Sequence, residues 1–151
     1  MSGKYIGPAV LLALAVIVLG CGKDPNLPPL VPVTGTVTLD GKPLDSATVT
    51  FIPVGKTRGN GAMGYTDEEG KYQLATHRGD RGAPVGEYRV VLNKMVMPDG
   101  TPYSAESGLA PMDSPAREIL PPRFSDQMQT KLKATVPEGG GQVDLALTSE
   151  P

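Results

Sequence analysis

The chain has 151 residues, of which 19 are Gly and 16 are Pro, while apolar residues reach 39%. So many chain breakers exclude a helical bundle and favour one modest β-rich domain with long connections. Fourteen basic against 16 acidic side chains leave a formal net charge of −2. That balance excludes a nucleic-acid binder, which takes most of its affinity from cations set against phosphate.

The rare residues exclude more. There is one His (His77), one Cys (Cys21) and no Trp. A zinc site needs three or four protein ligands, so no metal or cofactor is expected. One cysteine rules out an internal disulfide. Nucleophilic catalysis through an imidazole base would have to pass through His77, for which no acid or nucleophile partner stands out.

Residues 1–20 read as a signal sequence. Lys4 supplies a positive start, a Gly7-Pro8 interruption follows, and Ala9–Leu19 is an unbroken apolar run of 11 residues. A bilayer-spanning helix needs roughly 20. Val18-Leu19-Gly20-Cys21 resembles a bacterial lipobox, with cleavage between Gly20 and Cys21 and diacylglycerol on the Cys21 thiol. Val18 and Leu19 depart from the usual Leu and small residue of that pattern. Two or more acyl chains would anchor the protein stably where one gives marginal binding. A secreted protein with an incidental cysteine and an uncleaved anchor are the alternatives. Gly22, rather than Asp, follows the cysteine, so the expected location is the cell envelope, on the periplasmic side or the cell surface, with the outer membrane favoured.

Residues 21–32 hold four prolines and no apolar periodicity, the mark of an extended tether. The domain proper is expected over 33–151. In Val33–Leu39, Val33, Val37 and Leu39 share one face and three Thr the other, which is the alternation of a half-buried strand. Asp40-Gly41 is a turn signal. Ala47–Ile52 alternates again until Pro53, and a glycine-rich loop covers Gly55–Gly61. Strands are expected at Ala62–Thr66 and Lys71–Thr76, joined by the turn Asp67-Glu68-Glu69-Gly70, in which Asp67 bonds backbone donors and Gly70 takes a positive φ. After the loop His77–Gly86, Glu87–Asn93 places Tyr88, Val90 and Leu92 on one face.

Residues 95–129 break the rhythm with six prolines and read as an irregular insert. Thr130–Val136 and Gln142–Thr148 complete a set of seven strands, the pattern of an all-β sandwich. Within the insert, Met97, Tyr103, Met112 and Phe124 are the candidate partner contacts. Covering the domain's own core is the favoured role for that apolar surface.

Other motifs carry less. Asp67, Glu68 and Glu69 lack the alternation of a calcium loop, with Lys71 in the way. Arg78-Gly79-Asp80 spells an adhesion tripeptide that recurs by chance. A lysine–asparagine crosslink between first and last strands is unsupported, because Val33–Leu39 holds no Lys and residues 130–151 hold no Asn.

Val33-Thr-Gly-Thr-Val-Thr-Leu-Asp-Gly-Lys-Pro-Leu44, Ala47-Thr-Val-Thr-Phe51, Gly64-Tyr-Thr-Asp-Glu-Glu-Gly-Lys-Tyr-Gln-Leu74 and Gly86-Glu-Tyr-Arg-Val90 together resemble the carboxypeptidase regulatory-like domain. That family is a transthyretin-like (prealbumin-like) β-sandwich. With the lipobox, Pro122–Gln127 and the closing strands, the chain also resembles small lipoproteins of planctomycete bacteria. The resemblance implies a seven-stranded sandwich with a Pro-rich insert before the last two strands. It also implies a non-catalytic accessory or binding role; with the N-terminal lipid holding it at the membrane, an envelope protein is the expected partner. A glycan is the alternative partner, disfavoured by the lack of Trp.

Overall fold

The computed structural model describes residues 1, 27–104, 108 and 113–150. Short pieces β1 (Leu30–Val31), β3 (Lys42–Pro43), β7 (Ala83–Pro84), β9 (Met95–Val96), β10 (Arg117–Glu118) and β12 (Gly141–Gln142) accompany seven longer segments. The longer ones are β2 (Val33–Leu39), β4 (Thr48–Pro53), β5 (Ala62–Tyr65), β6 (Lys71–Gln73), β8 (Gly86–Asn93), β11 (Lys133–Val136) and β13 (Leu145–Leu147). One four-residue helix, α1 (Pro122–Ser125), completes the set among the described residues. The protein is an all-β sandwich.

One sheet has the order β11-β8-β4-β5. The other is built around β2, which pairs antiparallel with β6 and β3 along one side and parallel with β12 and β13 along the other. Asp40 (φ 51) and Gly41 (φ 77) both adopt left-handed backbone, the geometry of the two-residue turn that joins twisted strands. The sheets are stitched along one side, where Met63 and Ala75 exchange two 2.8 Å backbone hydrogen bonds.

The alternation in sequence becomes alternation in burial. Val33 and Val37 of β2, Val49 and Phe51 of β4, and Tyr88, Val90 and Leu92 of β8 are buried and face one another. Full burial of such a side chain contributes about 1.5–3 kcal/mol, so these positions dominate stability. Phe51 is the centre, its ring tilted against Tyr88 at 5.5 Å and against Tyr72 at 6.4 Å.

Three boundaries differ from the sequence reading. Leu30 and Val31 pair with Pro84 and Ala83, so the domain begins inside the Pro-rich stretch. Prolines flank these two residues without removing their own amides. The last segment splits into β12 and β13, because Asp144 turns its carboxylate onto the Thr36 amide at 2.8 Å and interrupts the backbone ladder. The insert is also not irregular throughout. β9 and β10 form a ladder with Met95 opposite Glu118, and α1 packs on β8.

Candidate functional site

The polar residues of the motifs are spent within the domain. Asp67 Oδ1 accepts from the amides of Glu69 (3.1 Å) and Lys71 (2.8 Å), and Gly70 sits at φ 74. Thr66 Oγ1, buried, accepts the Ala47 amide at 2.8 Å and so fixes β5 to the start of β4. The Tyr72 hydroxyl donates to the Val143 carbonyl and the Tyr88 hydroxyl to the Pro84 carbonyl, both at 2.6 Å. Burial pushes the Tyr88 phenol up to about 12 and the Tyr72 phenol higher still, so both remain donors across the working pH range.

The insert closes one end of the sandwich. Glu118 is its hub: its carboxylate accepts from Asn93 Nδ2 (2.9 Å), the Lys94 amide (3.0 Å) and the Leu120 amide (2.8 Å). Phe124 is 7% exposed and joins the core, with the Arg123 guanidinium 4.9 Å over its ring. Its ring therefore offers no partner surface. Arg123 Nη2 also donates to the carbonyls of Thr148 (2.8 Å) and Ser149 (2.5 Å), which ties α1 to the second sheet. Met97 and Tyr103 are half-buried within the insert, and the Ser114 hydroxyl donates to Met97 Sδ at 3.6 Å. Gly20, Cys21 and Met112 lie outside the described residues.

His77 is exposed on the loop after β6. It borders a small cavity of about 50 Å3 together with Leu27, Pro28 and Asp80. Among the described residues no group of three His, Cys, Asp or Glu could hold a metal ion.

A second surface lies at the rim of the four-stranded sheet. Arg89, Lys131 and Lys133 line a depression of about 600 Å3 with Val54, Thr130 and Leu132. Lys133 stands directly across the ladder from Arg89. Like charges so placed destabilise a strand pair. Arg89 is partly compensated by donating to the Gln127 carbonyl at 3.1 Å. No carboxylate among the described residues lies within ion-pair distance of Lys131 or Lys133. Sequence reasoning passed over this trio. The spacing of Lys131 and Lys133 is visible in the chain, but Arg89 joins them only through register.

No protein-family model matches the chain, and no curated protein does. Solved structures similar to it include a DUF3823 family protein from Parabacteroides merdae, 12% identical over 80% of this chain with a TM-score of 0.37. A 9R-lipoxygenase from Cyanothece is 17% identical over 79% of this chain, with a TM-score of 0.34. The chain spans 46% of the length of the first and 16% of the second. Likeness at this level assigns no activity.

Proposed function

We infer that the chain is a non-enzymatic accessory module of the cell envelope, anchored by lipid on Cys21 and engaged with a protein partner. The sequence of the first 21 residues is the basis for the anchor, and the resemblance to the carboxypeptidase regulatory-like domain for the accessory role. What favours binding over catalysis is the use of the motif side chains: Asp67, Tyr72 and Tyr88 each bond backbone and hold the sandwich together. The insert, read as a place for specificity, is largely consumed in closing its own domain through Glu118, Arg123 and Phe124. Contacts with a partner then fall to strand edges and exposed faces.

The carbohydrate reading has one observation in its favour. Tyr65 is 67% exposed on β5, with Met63 two residues earlier on the same face, and a lone exposed ring is a minimal platform for a sugar.

Crosslinking intact cells and identifying by mass spectrometry what is captured on residues 22–151 tests the two readings. A reproducible protein partner supports the accessory role. Capture of glycan alone, abolished by Tyr65→Ala, would replace it with carbohydrate binding. Metabolic labelling with a fatty acid, lost in Cys21→Ser, tests the anchor separately.

A further inference from the structure

Strand β11 is the outer strand of its sheet, bonded to β8 on one side only. The Val90 amide donates to the Leu132 carbonyl at 3.0 Å, which sets the phase of the ladder. In an antiparallel pair, residues alternate between facing the neighbour and facing away. Ala134 and Val136 therefore direct their amides and carbonyls at β8, while Leu132 offers β8 its carbonyl and gives its amide to Thr130 Oγ1 at 3.2 Å. Lys133 and Thr135 turn theirs outward, and both residues are exposed.

The charged side chains at the Lys133 end of that open edge are cationic. Lys131, just ahead of β11, lines the same depression as Lys133, and Arg89 stands across the ladder from Lys133. The nearest acid on β8 is Glu87, opposite Thr135, and its carboxylate lies toward Gly55 at the far end of the strand. A chain with a net charge of −2 thus gathers three cations around one end of an unpaired strand edge.

Edge lysines commonly guard against pairing with a second copy. Here a second β11 would bring its own lysines against Lys131 and Lys133, so self-pairing is opposed. A strand with acidic residues at alternate positions meets the opposite situation. Its backbone takes the outward groups of Lys133 and Thr135, and its carboxylates fall on the lysine face. We propose that the β11 edge binds an extended acidic segment of a partner protein by strand addition, with Lys131, Lys133 and Arg89 selecting the acidic side chains. This rests on the accessory-module reading and names the surface and chemistry of the partner.

The test uses the full-length chain in detergent and a fluorescent peptide alternating Glu with Val and Thr, followed by anisotropy. Binding should weaken at least tenfold in K131E/K133E and in Thr135→Pro, which removes an outward donor while leaving every bond to β8. A peptide of the same charge with Pro between the Glu residues should bind at least tenfold more weakly. Circular dichroism confirms that each variant is folded, and if Thr135→Pro is not, N-methylation of alternate peptide amides replaces it. Absence of binding overturns the proposal, as does equal binding of the Pro-interrupted peptide or of anionic phospholipid vesicles, which would leave charge alone. A dimer that dissociates in Thr135→Pro would assign the edge to self-pairing instead. Should the peptide fail while a protein is still captured in cells through another surface, the accessory reading stands and the edge proposal falls.

Discussion

The ring of Tyr72 crosses β2 at Gly35 to place its hydroxyl 2.6 Å from the Val143 carbonyl on the far side. One side chain on β6 thereby bonds the segment between β12 and β13, with β2 lying between them. Gly35 makes the crossing feasible. A Cβ there would overlap the Val143 carbonyl and approach Tyr72 Cε1 to 2.8 Å.

Tyr72→Phe should therefore destabilise the protein by about 1–2 kcal/mol, the cost of leaving a part-buried carbonyl without its donor. Gly35→Ala should cost more, about 3 kcal/mol, because the obstruction is backbone and cannot rotate away. Urea denaturation of both variants checks the order. Equal effects would show that the strand relaxes around an added methyl.

Glu118 holds the insert through three donors, two of them backbone amides. Replacing it with Ala should cost about 2 kcal/mol, since bonds to a charged acceptor exceed neutral ones. Limited proteolysis should then cut within residues 97–117 much faster than in the parent. Cleavage first at Gly55–Gly61 would place the weak point elsewhere.

Arg123→Ala removes the donor shared by the Thr148 and Ser149 carbonyls and the cation over Phe124. Amide exchange should accelerate in residues 145–149 while β4 and β8 remain protected. Global stability should fall by about 1 kcal/mol. Lysine at this position should restore part of this, because one nitrogen, Nη2, makes both bonds, while the flat guanidinium face over Phe124 is lost.

Asp45 and Lys94 form an ion pair at 2.7 Å, in which the lysine is well covered and the aspartate is 44% exposed. The hydrogen bond from Lys94 holds the Asp45 carboxyl below its ordinary value of 3.8, against the opposing effect of burial. A carboxyl depressed on folding stabilises above its unfolded pKa, and that stability is lost as pH falls through the folded one. Stability should be level from pH 7 to about 5 and decline below 4. Solvent screening limits this pair to about 1 kcal/mol or less. Denaturation midpoints of Asp45→Asn, compared with the parent from pH 7 to 3, should converge at the acid end. Parallel curves would show that the pair contributes nothing.

The strands that form the two sheets were legible because each side chain faces either core or solvent, and alternation records that choice. Val33–Leu39 shows it plainly, whereas β8 alternates as far as Val90 and then buries Val91 and Leu92 in succession. The resemblance added the Tyr72 and Tyr88 positions but not their acceptors, since Val143 and Pro84 are reached only through the fold. The two-residue ladder of β9 with β10 is too short to leave any period. Glu118 likewise bonds Asn93 and Lys94 from more than twenty positions away, and nothing local marks that role. The cationic rim was half visible, as Lys131 and Lys133, and the register of β8 supplied its third member.

The parallel pairing of β13 with β2 has a consequence for how the domain forms. Thr36 and Asp144, which bond at 2.8 Å, are separated by 108 positions. Contacts of such long range form late and slowly, because chain entropy must be lost before they repay it. As the chain emerges from its amino end β2 can acquire β3 and β6 early, yet one side of it stays bare until residues 141–147 have emerged. The half-built sheet is the species most exposed to wrong partners, and its lifetime is set by how soon the last residues arrive rather than by the strength of any finished contact.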